Sequence, residues 1–341
     1  MEDRKKDHIE RAFQSQTGSD EFDRRFWYDP MLSAKPAQEE IIPAAGLAGK
    51  KLRLPVWISS MTGGTRMAGH INHNLARACR EFGMGMGLGS CRIILEDDRY
   101  LPDFDVRDTL GDDLPLFANI GIAQLEKLIA ENRLKEIDAL ITRLRADGLV
   151  VHVNPFQEWF QPEGDRLFHP PIDSIRHLVD HASYPVIVKE VGQGMGYGSL
   201  RALLQLPIEA IEFAAFGGTN FSKLELMRAS EPLRELHSPL SRIGQDAPEM
   251  LSLINEIYQE DASGIKCQSL IISGGIKTFL DGYYLTGNSY MPAIYGQASA
   301  FLKHARGEYE QLREFVNYQR SGLRLAHAYL RIRRMNAQNN G

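Results

Sequence analysis

Eight short apolar runs, each ending in small or polar residues and each followed by a helical pattern, constrain this chain more than any other feature. They lie at 55–60 (PVWISS), 84–90 (MGMGLGS), 115–120 (PLFANI), 148–153 (GLVVHV), 185–190 (PVIVKE), 210–216 (AIEFAAF), 269–274 (SLIISG) and 290–295 (YMPAIY). Several are apolar on both faces, as parallel strands covered by helices must be. Between them, residues 66–82 place Met67, Ile71, Leu75 and Cys79 on one helical face. Residues 122–146 carry Leu125, Leu128 and Ile129, then Ile137, Leu140, Ile141 and Leu144. Further helical patterns fall at 172–182, 199–205, 247–259 and 276–285. Strand and helix alternating eight times predict an α/β fold of the (β/α)₈ TIM-barrel type. A doubly wound sheet with a second domain is the weaker alternative.

The barrel is expected over 51–305, preceded by a polar N-terminal arm at 1–50 and followed by a C-terminal helix and tail at 306–341. No linker composition, internal repeat or low-complexity tract calls for a second domain. The stretch 221–246 reads as an irregular connection long enough to serve as a lid. The last residues, RIRRMNAQNNG, read as a basic, frayed end.

Composition excludes several function classes. A formal net charge of −5 argues against a nucleic-acid partner held by overall charge. Three scattered cysteines, Cys79, Cys91 and Cys267, with no CxxC pair, fit a reducing compartment without a disulfide framework or zinc site. The charged start MEDRKKDHIERAFQ has no apolar signal core, and no run approaches membrane-spanning length, so no membrane insertion is expected and the default location is cytoplasmic.

Chemistry gathers where the runs stop, which in such folds is where ligands sit. After Leu149-Val150-Val151 comes His152-Val153-Asn154-Pro155-Phe156-Gln157-Glu158. A core strand gains nothing from ending in His, Asn, Gln and Glu. Met61-Thr62-Gly63-Gly64 follows the first run, Ser90 and Asn119 end the second and third, and Lys189-Glu190 the fifth. Gly217-Gly218-Thr219 follows the sixth, Gly274-Gly275 the seventh, and Gly296-Gln297-Ala298 the eighth. Late glycine pairs expose backbone N–H groups and point to a cofactor phosphate. Lys189, in an otherwise apolar strand, needs an anionic partner: a barrel carboxylate, or the N1/O2 edge of a flavin, which the phosphate signals favour. Arg4, Lys5 and His8 in the arm, with Arg92 after the second run, offer positive charge to a second anionic ligand.

With these residues in view, the chain resembles the type 2, FMN-dependent isopentenyl-diphosphate isomerases, from the arm to about residue 305. The matching segments are Arg4-Lys5-Lys6-Asp7-His8-Ile9, Ser60-Met61-Thr62-Gly63-Gly64 and Gly89-Ser90-Cys91-Arg92. Asn119-Ile120-Gly121, the His152–Glu158 motif and Gln161-Pro162-Glu163-Gly164-Asp165 with Phe168 continue the match. Lys189-Glu190-Val191-Gly192, Gly217-Gly218-Thr219-Asn220-Phe221 and Gly274-Gly275-Ile276-Lys277 complete it. The His-x-Asn-x-x-Gln-Glu and QPEGD segments are the most specific; single glycine motifs suit other FMN barrels.

The resemblance implies conversion of isopentenyl diphosphate to dimethylallyl diphosphate without net oxidation. Reduced FMN would be the acid–base group, its N5 near the reacting carbons, and reduced nicotinamide (NADPH) the electron donor. Arg4, Lys5, His8, Arg92, His152 and Asn154 would hold the diphosphate, and Glu158 the Mg²⁺ that bridges to it. Gln157 would sit beside the carbon skeleton, with His152 as its catalytic companion. Met61, Thr62, Gly63, Ser90, Asn119, Lys189 and Thr219 would contact FMN, with Gly274, Gly275, Lys277, Gln297 and Ala298 toward its phosphate. A homotetramer or homo-octamer is the implied assembly. The chain departs from the family at Ala214-Ala215 (usually Ser and Gly), Gly196 (Ser), Ile243 (Trp), Cys91 (Gln) and Lys277 (Arg). Two rivals share the fold: an FMN-dependent 2-hydroxy-acid oxidoreductase and a catalytically decayed flavin-binding barrel. The first expects His-Gly-Gly-Arg where this chain has Phe216-Gly217-Gly218-Thr219.

Overall fold

The computed structural model describes residues 2–32, 41–60 and 63–335. Eight parallel strands close into a barrel in sequence order. They are β1 Val56–Ile58, β2 Gly85–Gly87, β3 Leu116–Gly121, β4 Val-rich Gly148–His152, β5 Val186–Lys189, β6 Ala210–Glu212, β7 Ser269–Ser273 and β8 Ala293–Gln297. The TIM barrel expected from the alternating pattern is therefore the fold.

The interior is a packed core. Trp57, fully buried on β1, meets Phe117 on β3 edge to face with ring centroids 5.8 Å apart. The Gly-Met-Gly sequence of β2 makes room for this pair: a Cβ at Gly85 would lie 2.9 Å from the Trp57 ring. The lower end is sealed by the hairpin Ala45–Leu47 and Lys50–Leu52. Its turn residue Ala48 takes a positive φ of 52°, and its N–H donates to the Glu209 carboxylate at 2.6 Å. Arg107, 2% exposed, reaches Asp147 at 2.9 Å and donates to the carbonyls of Gly111, Leu114 and Arg145.

Several expectations are corrected. The eighth strand runs over 293–297 rather than 290–295. Pro292 has no N–H and stays outside the ladder, its carbonyl accepting from Leu270, which moves Gln297 into the strand. The sixth strand ends at Glu212 because Ala214 turns to φ 42°. Residues 122–146 form two helices, Ile122–Ala130 and Lys135–Leu144, parted where Asn132 adopts φ 56°. Met67 is 61% exposed; the buried face of Arg66–Phe82 starts at Ala68.

The stretch 221–246 is mostly helical, as Phe221–Arg228, Glu231–His237 and a short turn Leu240–Arg242. The long helix Tyr309–Tyr329 packs against Arg66–Phe82 and Phe279–Asn288. The chain beyond it is not frayed through 335: Leu330–Ile332 pairs antiparallel with Phe26–Tyr28, and Arg333 stacks over Trp27 at 3.6 Å. Residues 336–341 lie outside the described residues. No helix among the described residues is long and apolar enough to cross a membrane.

Candidate active site

Two adjoining polar regions occupy the mouth formed by the carboxyl ends of the strands. The first is a cavity of about 450 Å³ floored by Ser59, Ser60, Lys189 and Glu212. Its wall brings together Thr219, Gly274, Gly275, Lys277, Gln297 and Ala298, all predicted from sequence, and adds Lys303, which was not. The backbone at Gly274 takes φ 88°, and a Cβ there would lie 2.2 Å from the Ala215 backbone. Only glycine lets these two loops touch. Lys189 is 5% exposed and donates to the Glu190 carbonyl at 2.8 Å. Burial pushes the neighbouring Glu190 carboxyl up, although the N–H groups of Gln193, Gly192 and Gly194 pull it back.

Four buried side-chain atoms on this wall have no partner: Ser59 Oγ, Ser60 Oγ, Glu212 Oε2 and Gln297 Oε1. Buried polar atoms are ordinarily bonded, so the cavity is built for a ligand that carries both donors and acceptors.

The second region is centred on the helix Pro155–Phe160, started by a proline at its first turn. Asn154, 2% exposed, donates to Gln157 Oε1 at 3.1 Å and to Glu158 Oε1 at 3.0 Å. Glu158 Oε2 accepts the Asp165 N–H at 2.9 Å, and Asp165 in turn holds Arg92 at 3.1 Å. Between the regions, His152 Nδ1 lies 2.8 Å from Asn119 Oδ1, while Asn119 Nδ2 donates to the Leu88 carbonyl. Asn119 must therefore accept, so His152 carries its proton on Nδ1 and leaves Nε2 as an acceptor. The ring keeps some exposed surface, but its enclosed surroundings, and then Lys189, push its pKa down to about 3. It is a neutral imidazole.

Other predicted residues fall outside this constellation. Ser90 is exposed at the end of β2, and Gly63 lies against the Phe104 ring. Met61 and Thr62 lie outside the described residues. Arg4, Lys5 and His8 sit on the helix Glu2–Arg11; every residue from Asp3 to Arg24 is exposed, and none of the three lines the cavity. Among the described residues, no group of three or more His, Cys, Asp or Glu could hold a metal ion. A cation at Glu158 must take its other ligands from elsewhere.

Comparison with known proteins decides the family. A relative from Rickettsia felis named isopentenyl-diphosphate delta-isomerase is 37% identical over 258 residues, covering 75% of this chain and 71% of its own. One from Rickettsia africae, with the same name, is 36% identical over 258 residues, covering 75% and 72%. The chain belongs to the isopentenyl-diphosphate delta-isomerase family. This agrees with the resemblance to the type 2 members drawn from the motifs, and makes the chain an enzyme that transposes a carbon–carbon double bond. No family model matches the chain. Among solved structures, a mandelate oxidase bearing an FMN monooxide adduct aligns with TM-score 0.55 at 14% identity, covering 91% of this chain and 88% of that one. A flavocytochrome b2 with sulfite aligns with TM-score 0.59 at 11% identity, covering 89% and 71%. Those likenesses concern the fold alone.

Sequence reasoning missed one residue of this isomerase that the structure places beside Gln157. Glu225, 5% exposed on the helix Phe221–Arg228, accepts from Gln157 Nε2 at 3.4 Å, Gln161 Nε2 at 2.8 Å and Arg228 Nη1 at 3.1 Å. Ser222, Glu225 and Leu226 form the buried face of that helix. A carboxylate in a buried stripe at helical spacing was the available signal; reading 221–246 as irregular hid it.

Proposed function

We propose that this member of the family interconverts isopentenyl and dimethylallyl diphosphate with reduced FMN in the cavity and Mg²⁺ at Glu158. The observation that carries the reading is the pairing of the two regions: unpartnered polar atoms at Ser59, Ser60, Glu212 and Gln297 beside the Asn154–Gln157–Glu158–Glu225 cluster. The donor set fits both groups. The cavity offers hydroxyl donors, acceptors, one buried lysine and glycine backbones near Lys277 and Lys303, which suits a polar, phosphorylated ring compound. A lone carboxylate with diphosphate oxygens and water is ordinary Mg²⁺ coordination.

When bound, reduced FMN supplies the acid–base chemistry. The chain's own residues bind and orient. Lys189 holds positive charge in the cavity floor for an anionic ring edge. Lys277, Lys303 and the Gly274-Gly275 backbone hold its phosphate. Arg92 and His152 face the diphosphate, Asn154 joining them once its amide turns from Gln157 or Glu158, and a phosphate oxygen at His152 Nε2 requires that nitrogen to take up a proton on binding. Arg4, Lys5 and His8 add charge when the arm reaches the mouth. Gln157, fixed between Asn154 and Glu225, positions the carbon skeleton, and Glu225 stands one hydrogen bond behind it, holding its amide in place. NADPH as the electron donor, a homotetrameric or homo-octameric assembly and a cytoplasmic location belong to the same reading. A Gln157→Ala variant tests it: FMN binding should be retained and isomerisation lost, and an unchanged rate would remove Gln157 from the mechanism.

A further inference from the structure

Glu212 stands out among the groups that the isomerisation does not use. It is fully buried on β6, its Oε1 receives only a long 3.4 Å bond from Ser273, and its Oε2 has no partner while lining the cavity. It lies in register with Lys189 on β5, so a buried carboxyl group and a buried lysine stand side by side on the cavity floor. No ion pair within 4.0 Å joins them; Lys189 instead bonds the Glu190 carbonyl. An ionised carboxylate left this way is costly unless a ligand supplies donors.

We infer that Glu212 receives the hydroxyl groups of the flavin's polyol chain. This rests on the FMN reading above. The unpartnered atoms set the requirement: Glu212 Oε2 and Gln297 Oε1 can only accept, and the hydroxyls of Ser59 and Ser60 can do either. A chain of consecutive hydroxyls answers all four. The ring cannot, because it presents mostly acceptors, and its reduced form is anionic and would be repelled by a carboxylate. The floor thus divides the work. Lys189 takes the anionic ring edge and Glu212 the neutral polyol, each charge facing the part of the ligand it favours. Ser273, whose hydroxyl bonds both Glu212 and the Ala214 N–H, fixes the carboxylate from the β7 side.

The test compares wild type, Glu212→Gln and Glu212→Ala for equilibrium binding of FMN and of lumiflavin, which has the ring but no polyol, by fluorescence titration. Apoprotein melting is measured alongside. Replacing a charge-assisted bond with a neutral one should weaken FMN about tenfold in Glu212→Gln, and more in Glu212→Ala. Lumiflavin affinity should not move, and the Glu212→Gln apoprotein should melt no lower than wild type, because the Oε2 that it replaces gives up no partner. Equal weakening of both ligands would place Glu212 at the ring and overturn the inference, as would unchanged FMN affinity in either variant. A wild-type protein that binds no FMN would overturn the cofactor reading and this inference together; FMN binding indifferent to Glu212 would overturn only the latter.

Discussion

Glu225 is the sharpest lever on the reaction because it acts through one neighbour. Its two oxygens serve three donors: Gln161 at 2.8 Å, Arg228 at 3.1 Å and Gln157 at 3.4 Å. In Glu225→Gln one oxygen becomes an NH₂ group. Turned toward the helix Pro155–Phe160 it confronts the amides of Gln157 and Gln161; turned the other way it confronts Arg228. Either orientation leaves a donor facing a donor in a site only 5% exposed, which costs about 1–3 kcal/mol in stability. Gln157, held on that side by the longest bond, is the residue that shifts. A misplacement of about 1 Å in a positioned group costs roughly 10²-fold in rate. The assay is steady-state isomerisation with FMN affinity and thermal melting measured on the same samples. The expected result is kcat down about 10²-fold, with KM and FMN affinity little changed. A folded Glu225→Gln enzyme with kcat at the wild-type level would refute the claim that Glu225 positions Gln157.

Three further outcomes follow from other parts of the molecule. Arg107→Met leaves the Gly111 and Arg145 carbonyls beneath the barrel without its guanidinium, while Asp147 keeps Lys50 and the Leu116 N–H and Leu114 keeps Lys50, so chemical denaturation should show a loss of about 1–3 kcal/mol; a change below about 0.5 kcal/mol would mean the clamp is idle. Burial depresses His152 in the fold to about 3, below its ordinary value of 6.5, so the unfolded chain binds the extra proton between those values. Apoprotein stability should therefore fall as pH drops from about 6.5 toward 3, less steeply in His152→Gln, and parallel pH curves would contradict the neutral imidazole. Ala214→Gly removes a side chain from a backbone at φ 42° and should raise stability by up to about 1 kcal/mol; a lower melting temperature would show that the methyl group's packing outweighs the strain.

The barrel was legible because its strands are short apolar runs with both faces buried, a pattern that survives without knowledge of contacts. The His152–Glu158 segment was legible because polar side chains cost too much at a strand end to be there for packing. What stayed hidden depends on direction. Glu212 sits inside an apolar run, and only the closed barrel shows that its carboxylate faces the cavity. Glu225 is set beside Gln157 by packing of the helices Phe221–Arg228 and Pro155–Phe160, far apart in sequence. The eighth strand slipped by three residues at its start because Tyr290 and Met291 read as strand, although Pro292 bars them from the ladder. The arm's basic group was visible as charge, but its placement on an exposed helix follows from contacts the sequence does not carry.

The most direct measurement of the central claim is anaerobic incubation of the protein with isopentenyl diphosphate, Mg²⁺ and FMN, with and without dithionite. Formation of dimethylallyl diphosphate only when the flavin is reduced is the result this account predicts. Equal conversion with oxidised flavin, or none from a protein that has bound reduced FMN, would contradict it.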